Sequence, residues 1–220
     1  MRICFVPCGT LKEFKEKTRE ERTDLFLFGF GGMGEVDYEK ELKGETAFFE
    51  DAALLSKTDK SVVVCGCITN TRGYKRKSAL VAENGRIVGV SDISHVVDRE
   101  MSCGVALRVY ETKIGKMGVA VAEDLNFPET LRCLTACGSD FIVCPFGKPI
   151  DELQSVLLRA HAYCYGSPIL FCGDGYCMLA DSSGQIAFAS PHSPAYMKFE
   201  NVKEYHLIET RRRGFYLRGK

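Results

Sequence analysis

A layered α/β domain is predicted by two features of this 220-residue chain: short apolar runs bounded by turn residues, and helix-like stretches that alternate with them from end to end. The runs at 3–7, 25–28, 62–68, 79–82, 87–90, 117–122, 141–144, 169–172 and 176–180 have strand length, and most are apolar on both faces, which places them inside a sheet. Helices are expected at 10–22, 44–57, 128–137 and 149–166; Pro128 suits a first turn and Gly138 a C-terminal stop. Asn84-Gly85, between two of the short runs, signals a hairpin. No repeat or linker interrupts the pattern, and single cores stop growing only near ~250–300 residues, so residues 1–220 are read as one domain.

Composition narrows the function classes. Hydrophobic residues at 45% and charged residues at 26% are globular values. Lysine plus arginine, 29, equals aspartate plus glutamate, 29, so the chain has no global basic field to draw it to nucleic acid or anionic lipid. No run approaches the ~20 apolar residues of a membrane helix, and the short apolar start before the charged segment 12–22 lacks a signal-peptide core. Neither a nucleic-acid nor a membrane partner is therefore expected, and eleven cysteines without an export signal read as reduced, cytoplasmic thiols. Cys65 and Cys67 share one face of a strand and Cys133 and Cys137 lie at helical i, i+4 spacing, but no Cys-x-x-Cys pair occurs; core packing is favoured over a metal role. No cofactor is implied. The basic tail 211–220 is read as solvated rather than as a dedicated anion-binding segment.

The segment 113–129, with Gly118-Val119-Ala120-Val121-Ala122-Glu123-Asp124 followed by Leu125-Asn126-Phe127-Pro128-Glu129, resembles the nucleophile region of the nitrilase superfamily of carbon-nitrogen hydrolases. Residues 137–145 are similar to that family's next strand. Asn84-Gly85-Arg86-Ile87 and Ser94-His95 resemble its hairpin and lysine strand, and 23–28 resemble the strand leading to its glutamate. Arg159-Ala160-His161-Ala162 and residues 181–186 resemble its later helix and strand pair, so the likeness runs over nearly the whole chain in order.

This resemblance implies a four-layer α-β-β-α sandwich and a chemistry in which a glutamate takes a thiol proton, the cysteine attacks an amide or nitrile carbon, and a lysine stabilises the developing charge. At the matching positions this chain has Phe30, Ile93 and Ala122, with Glu35 the nearest acid downstream of Phe30. None can supply a nucleophile, base or cation. Losing the nucleophile costs an unrelated hydrolase about 10⁶ in turnover, so an inactive homologue is expected, with the Phe30 ring filling the substrate volume. Its role would be ligand sensing or partner binding.

Two other readings stay open: a hydrolase of a small amide or nitrile with a relocated cysteine nucleophile, and a structural subunit paired with an active paralogue. Rescue candidates are Cys144, His95 and Lys77. Strand parity sends His95 to the face of Ile93, where it could meet Cys144, although a hydrogen-bonded interior histidine is the preferred reading. Lys77, where the family has asparagine, is read as a solvated stem rather than a site residue. Glu123 and Asp124 are read as facing opposite ways along an extended segment and anchoring the turn before Pro128, and Gly31-Gly32-Met33-Gly34 as a flexible segment in place of the glutamate loop. The resemblance further implies a homodimer through the helices carrying Leu131, Leu134, Val156, Leu157 and Tyr163, residues that serve equally well as core stripes.

Overall fold

The computed structural model describes residues 1–16 and 22–200. Strands and helices run in the order β1 (Arg2–Val6), α1 (Leu11–Glu16), β2 (Leu25–Phe28), β3 (Glu35–Asp37), α2 (Tyr38–Leu42), α3 (Phe48–Thr58), β4 (Val62–Thr71), β5 (Tyr74–Glu83) and β6 (Arg86–Asp92) in the first half. They continue with β7 (Val109–Thr112), β8 (Gly115–Val119), α4 (Pro128–Ala136), β9 (Phe141–Pro145), α5 (Glu152–Tyr165), β10 (Ile169–Cys172), β11 (Cys177–Ala180), β12 (Ile186–Ser190) and β13 (Ala195–Lys198). Short 3-10 turns at Phe30–Gly32 and Ala122–Asn126 follow β2 and β8.

Two sheets form. One has the order β13-β1-β2-β4-β5-β6 with β3 pairing alongside β4; the other has the order β12-β11-β10-β9-β8-β7. In each, a parallel middle (β1-β2-β4 and β8-β9-β10) is flanked by antiparallel strands. The parallel strands are apolar on both faces because both are covered. Leu25, Leu27, Val62 and Val64 meet Val119, Val143 and Leu170 between the sheets. The alternate residues Phe26, Phe28, Val63 and Cys65 face outward onto Leu11, Phe14 and Leu55 of α1 and α3. On the other side Ile142, Cys144, Ile169 and Phe171 pack under Leu131, Leu134 and Leu158 of α4 and α5. Three apolar layers thus join four layers of structure, the expected α-β-β-α sandwich.

Local chemistry accounts for the element ends. Asn84 and Gly85 both have positive φ, 52° and 77°, at the tight β5–β6 turn, as an Asn-Gly hairpin requires. Asp151 caps α5 through the Gln154 amide, and Gly166 closes that helix in the left-handed conformation. Several elements differ from expectation. The strand expected at 117–122 ends at Val119 and turns into the 3-10 segment, where Ala122 adopts φ +49°. Strands β3 and β13 and helix α2 escaped sequence reading, while β4 and β5 extend past their apolar runs into a polar hairpin at Thr71 and Tyr74. Gly31-Gly32-Met33-Gly34 is not a loose segment. The Gly34 amide bonds back to the Phe30 carbonyl at 3.0 Å, and a Cβ on buried Gly32 would sit 2.5 Å from the Cys65 sulfur. The tail 211–220 lies outside the described residues.

Candidate functional site

The parallel strands β2, β4, β8, β9 and β10 all end toward the same edge of the sandwich, where ligands of open α/β sheets bind. Phe30 follows β2, Ala122 follows β8, and Ile93 follows β6, where its amide bonds to the Lys77 carbonyl of β5 at 2.8 Å. Ile93 and Ala122, each 1% exposed, belong to one apolar cluster between the sheets, and half-buried Phe30 packs against it. The Phe30 ring lies between two glycine backbones. A Cβ on Gly66 of β4 would stand 2.6 Å from the ring, and one on Gly147 would stand 3.2 Å from it. Side chains at either place would compete with the ring for space.

Ala122 holds a left-handed backbone, which costs an L-residue roughly 1–2 kcal/mol. Asp124 holds this turn. Its carboxylate, fully buried, accepts hydrogen bonds from the Ser94 and His95 amides at 3.0 Å and, more weakly, from the Val121 amide at 3.4 Å. Burial pushes the Asp124 carboxyl up against the effect of these donors. Asp124 therefore ties the turn to the segment carrying Ile93, and the expectation that it anchors the turn is met in a 3-10 rather than an extended segment.

Lys77 is not a solvated stem. Its ammonium lies 2.6 and 2.7 Å from the two carboxylate oxygens of Glu123, with the two side chains only 13% and 8% exposed. Lys148, 67% exposed, approaches the same carboxylate at 3.3 Å. Burial is the largest single influence and raises the Glu123 carboxyl, but the Lys77 hydrogen bond and charge, the turn's own backbone and Lys148 together outweigh it and hold the group below its ordinary value. Glu123 is the chain neighbour of Ala122, and sequence reading missed both it as the partner of Lys77 and Lys148 as its second cation. The available signal was a lysine in place of the family's asparagine, which needs a counter-charge once buried.

Cys144 and His95 do not form a dyad. Cys144 points to the helix side of its sheet, fully buried, and its thiol donates weakly to the Ala122 carbonyl at 3.8 Å. Burial first, then the neighbouring Asp124 and Glu123 carboxylates, push that thiol up, the reverse of what activates a nucleophile. His95 instead stacks on Phe127 with ring centroids 4.1 Å apart, and its Nδ1 lies 3.1 Å from Thr130 Oγ1 and 3.3 Å from Asp124 Oδ1. His161 Nε2–H donates to the Leu125 carbonyl at 3.0 Å, supporting the same turn from α5, and burial lowers its pKa. Among the described residues no group of three His, Cys, Asp or Glu side chains is placed to hold a metal.

Leu131 and Leu134 are core residues, 0% and 1% exposed, and leave the expected association face. Val156 and Tyr163, 54% and 50% exposed, remain on the outer surface of α5, with Leu157 between surface and core.

The layered sandwich with its strand-end turns defines a carbon-nitrogen hydrolase scaffold. A profile of the family described as carbon-nitrogen hydrolase matches residues 24–195, and the chain belongs to that family. A stretch of 88 residues is 30% identical to a probable nitrilase of Schizosaccharomyces pombe, spanning 38% of this chain and 32% of that relative. Among solved structures, a cysteine-to-alanine mutant of the Nesterenkonia AN1 amidase, from the nitrilase superfamily, superposes with a TM-score of 0.78 at 17% identity, covering 97% of this chain and 95% of that one. A carbon-nitrogen hydrolase from Helicobacter pylori G27 superposes with a TM-score of 0.75 at 18% identity, covering 97% and 92%. At these identities the structural likeness is one of fold.

Proposed function

We propose that this chain is a catalytically inactive carbon-nitrogen hydrolase homologue, resident in the cytoplasm, that has kept its scaffold for ligand sensing or partner binding. One observation carries the reading: of the residues that stand where the resemblance puts the proton acceptor, the cation and the nucleophile, Ile93 and Ala122 are buried in one apolar cluster and half-buried Phe30 packs against it. A methyl group cannot attack a carbonyl, and a phenyl ring cannot take a proton. On this reading the ring, set between Gly66 and Gly147, takes up space at the strand ends that a small amide would need.

The strained backbone at Ala122 agrees with this history. A left-handed turn that presents a side chain at a strand end is useful to a nucleophile and only a cost to an alanine, so its persistence suits an inherited scaffold. Relocation of the nucleophile finds no support in Cys144, whose surroundings disfavour the thiolate. Association with a second copy through the exposed apolar side chains of α5, Leu153, Val156 and Tyr163, completes the proposal.

The test is turnover of acetamide, acrylamide and simple nitriles by purified protein, alongside a Cys144→Ser variant. The expected result is no ammonia release above background from either. Release that the wild type supports and the variant abolishes would establish a relocated thiol and overturn the reading.

A further inference from the structure

Cys172 ends β10 and Cys177 begins β11, and the two are directly opposed in the antiparallel register. The intervening turn is tight. The Gly173 amide donates to the Tyr176 carbonyl at 2.9 Å across Asp174-Gly175, where Gly175 has φ +72°. The Cys172 carbonyl is turned the other way, toward β9, and accepts from the Phe146 amide at 2.8 Å. Because carbonyl and amide of one strand residue point to the same side, Cys172 and Cys177 form a pair without mutual backbone hydrogen bonds. Such pairs bring their Cα atoms to about 4.5 Å and their side chains closest together. That separation falls inside the ~4.4–6.8 Å window of disulfides. Both side chains enter the cluster between the sheets, so they lean to the same face.

We propose that Cys172 and Cys177 are a cross-strand dithiol that small-molecule disulfides convert to an intramolecular disulfide. One cysteine thiolate attacks a sulfur of the small disulfide, forming a mixed disulfide and expelling one small thiolate. The other cysteine then attacks the protein sulfur of that mixed bond and expels the second. The two cysteines lose two protons and two electrons, and the small disulfide is reduced to two thiols.

Both thiols are fully buried. Burial pushes the Cys177 thiol up to about 12 and Cys172 well above its ordinary value, so the attacking thiolate forms when the hairpin end opens. That opening separates the exposed tip at Asp174 from its backbone neighbours, the Lys148 carbonyl at 3.1 Å from the Asp174 amide and the Pro7 carbonyl at 3.4 Å from the Gly175 amide. Exposed Cys8, Cys103, Cys133, Cys137 and Cys164 lack a directly opposed cross-strand cysteine, and take up small thiols only as separate adducts.

The experiment incubates the folded full chain with oxidised glutathione at mildly alkaline pH, quenches with acid and maps peptides by mass spectrometry. A Cys177→Ser variant is treated in parallel. The expected result is a wild-type peptide containing residues 172–177 that has lost two hydrogen masses and carries no glutathione, and a glutathione adduct on Cys172 in the variant. An adduct in the variant without the wild-type disulfide would mean that the sulfurs are reached but cannot join, and overturns the proposal. A bond from Cys172 to any other cysteine, or no reaction at Cys172 in either protein, overturns it equally.

Discussion

Replacing Lys77 by methionine tests whether the buried ion pair beside Ala122 is an integral part of the site's framework. The substitution keeps the apolar stem and removes the ammonium that lies 2.6 and 2.7 Å from Glu123. Breaking one half of a buried pair costs about 3–5 kcal/mol because the other charge stays desolvated. Lys148 at 3.3 Å compensates in part, but it is 67% exposed, which places the expected loss at about 2–4 kcal/mol. With a urea slope of about 2–3 kcal/mol/M for a chain of this size, the unfolding midpoint should fall by about 1 M at neutral pH. Adding Glu123→Leu removes the stranded charge, and the double variant should return to within about 1 kcal/mol of wild type.

The pH dependence has a definite sign. The Glu123 carboxyl is held below its ordinary value in the folded protein, so its contribution is complete above the unfolded value near 4.5 and is lost as pH falls through the folded value. The gap between wild type and Lys77→Met should therefore narrow in acid below about pH 4.5. Equal midpoints at neutral pH, or a double variant as weak as the single, would refute the assignment of this pair as a buried, interdependent unit.

Three further outcomes are expected. Gly66→Ala introduces a Cβ 2.6 Å from the Phe30 ring and 3.1 Å from Pro145, and should cost about 1–3 kcal/mol in urea unfolding; the cost should shrink in a Phe30→Ala background, and additive costs would place the ring elsewhere. Thiol titration of the folded protein with a chromogenic disulfide should modify the exposed Cys8, Cys103, Cys133, Cys137 and Cys164 rapidly, Cys172 and Cys177 far more slowly, and Cys4, Cys65, Cys67 and Cys144 only after unfolding; rapid labelling of Cys144 would contradict its burial. Val156→Asp puts a charge on the exposed apolar face of α5 and should convert a dimer to monomer in sedimentation velocity with the unfolding midpoint of the monomer unchanged, whereas an unaltered sedimentation coefficient would remove α5 from the proposed association.

How far the sequence discloses this molecule depends on which forces leave a local trace. Strands β2, β4, β9 and β10 are legible because both faces are covered, so apolar character persists along each run. The edge strands β12 and β13, and β3, are short and carry exposed or charged residues, and it is pairing with a distant neighbour that makes them strands. β13 pairs with β1, nearly two hundred residues away. No local window contains that information. The gathering of Phe30, Ile93 and Ala122 at one end of the sandwich is expected from the resemblance, and their packing between the sheets depends on contacts that residue identity alone does not give.

The charged pair next to Ala122 was not legible, and the reason is geometric. Sequence neighbours Glu123 and Asp124 look alike, yet the 3-10 turn sends one carboxylate to Lys77 on β5 and the other to the backbone of Ser94 and His95. The turn that separates them is the same one that gives Ala122 its left-handed backbone. Asp124 fastens that turn to the segment after β6, and Glu123 fastens it to β5, so the two sheets are joined beside Ala122 through these carboxylates. An apolar interior closed by Phe30 and rimmed by a satisfied ion pair is an arrangement that favours a fixed shape.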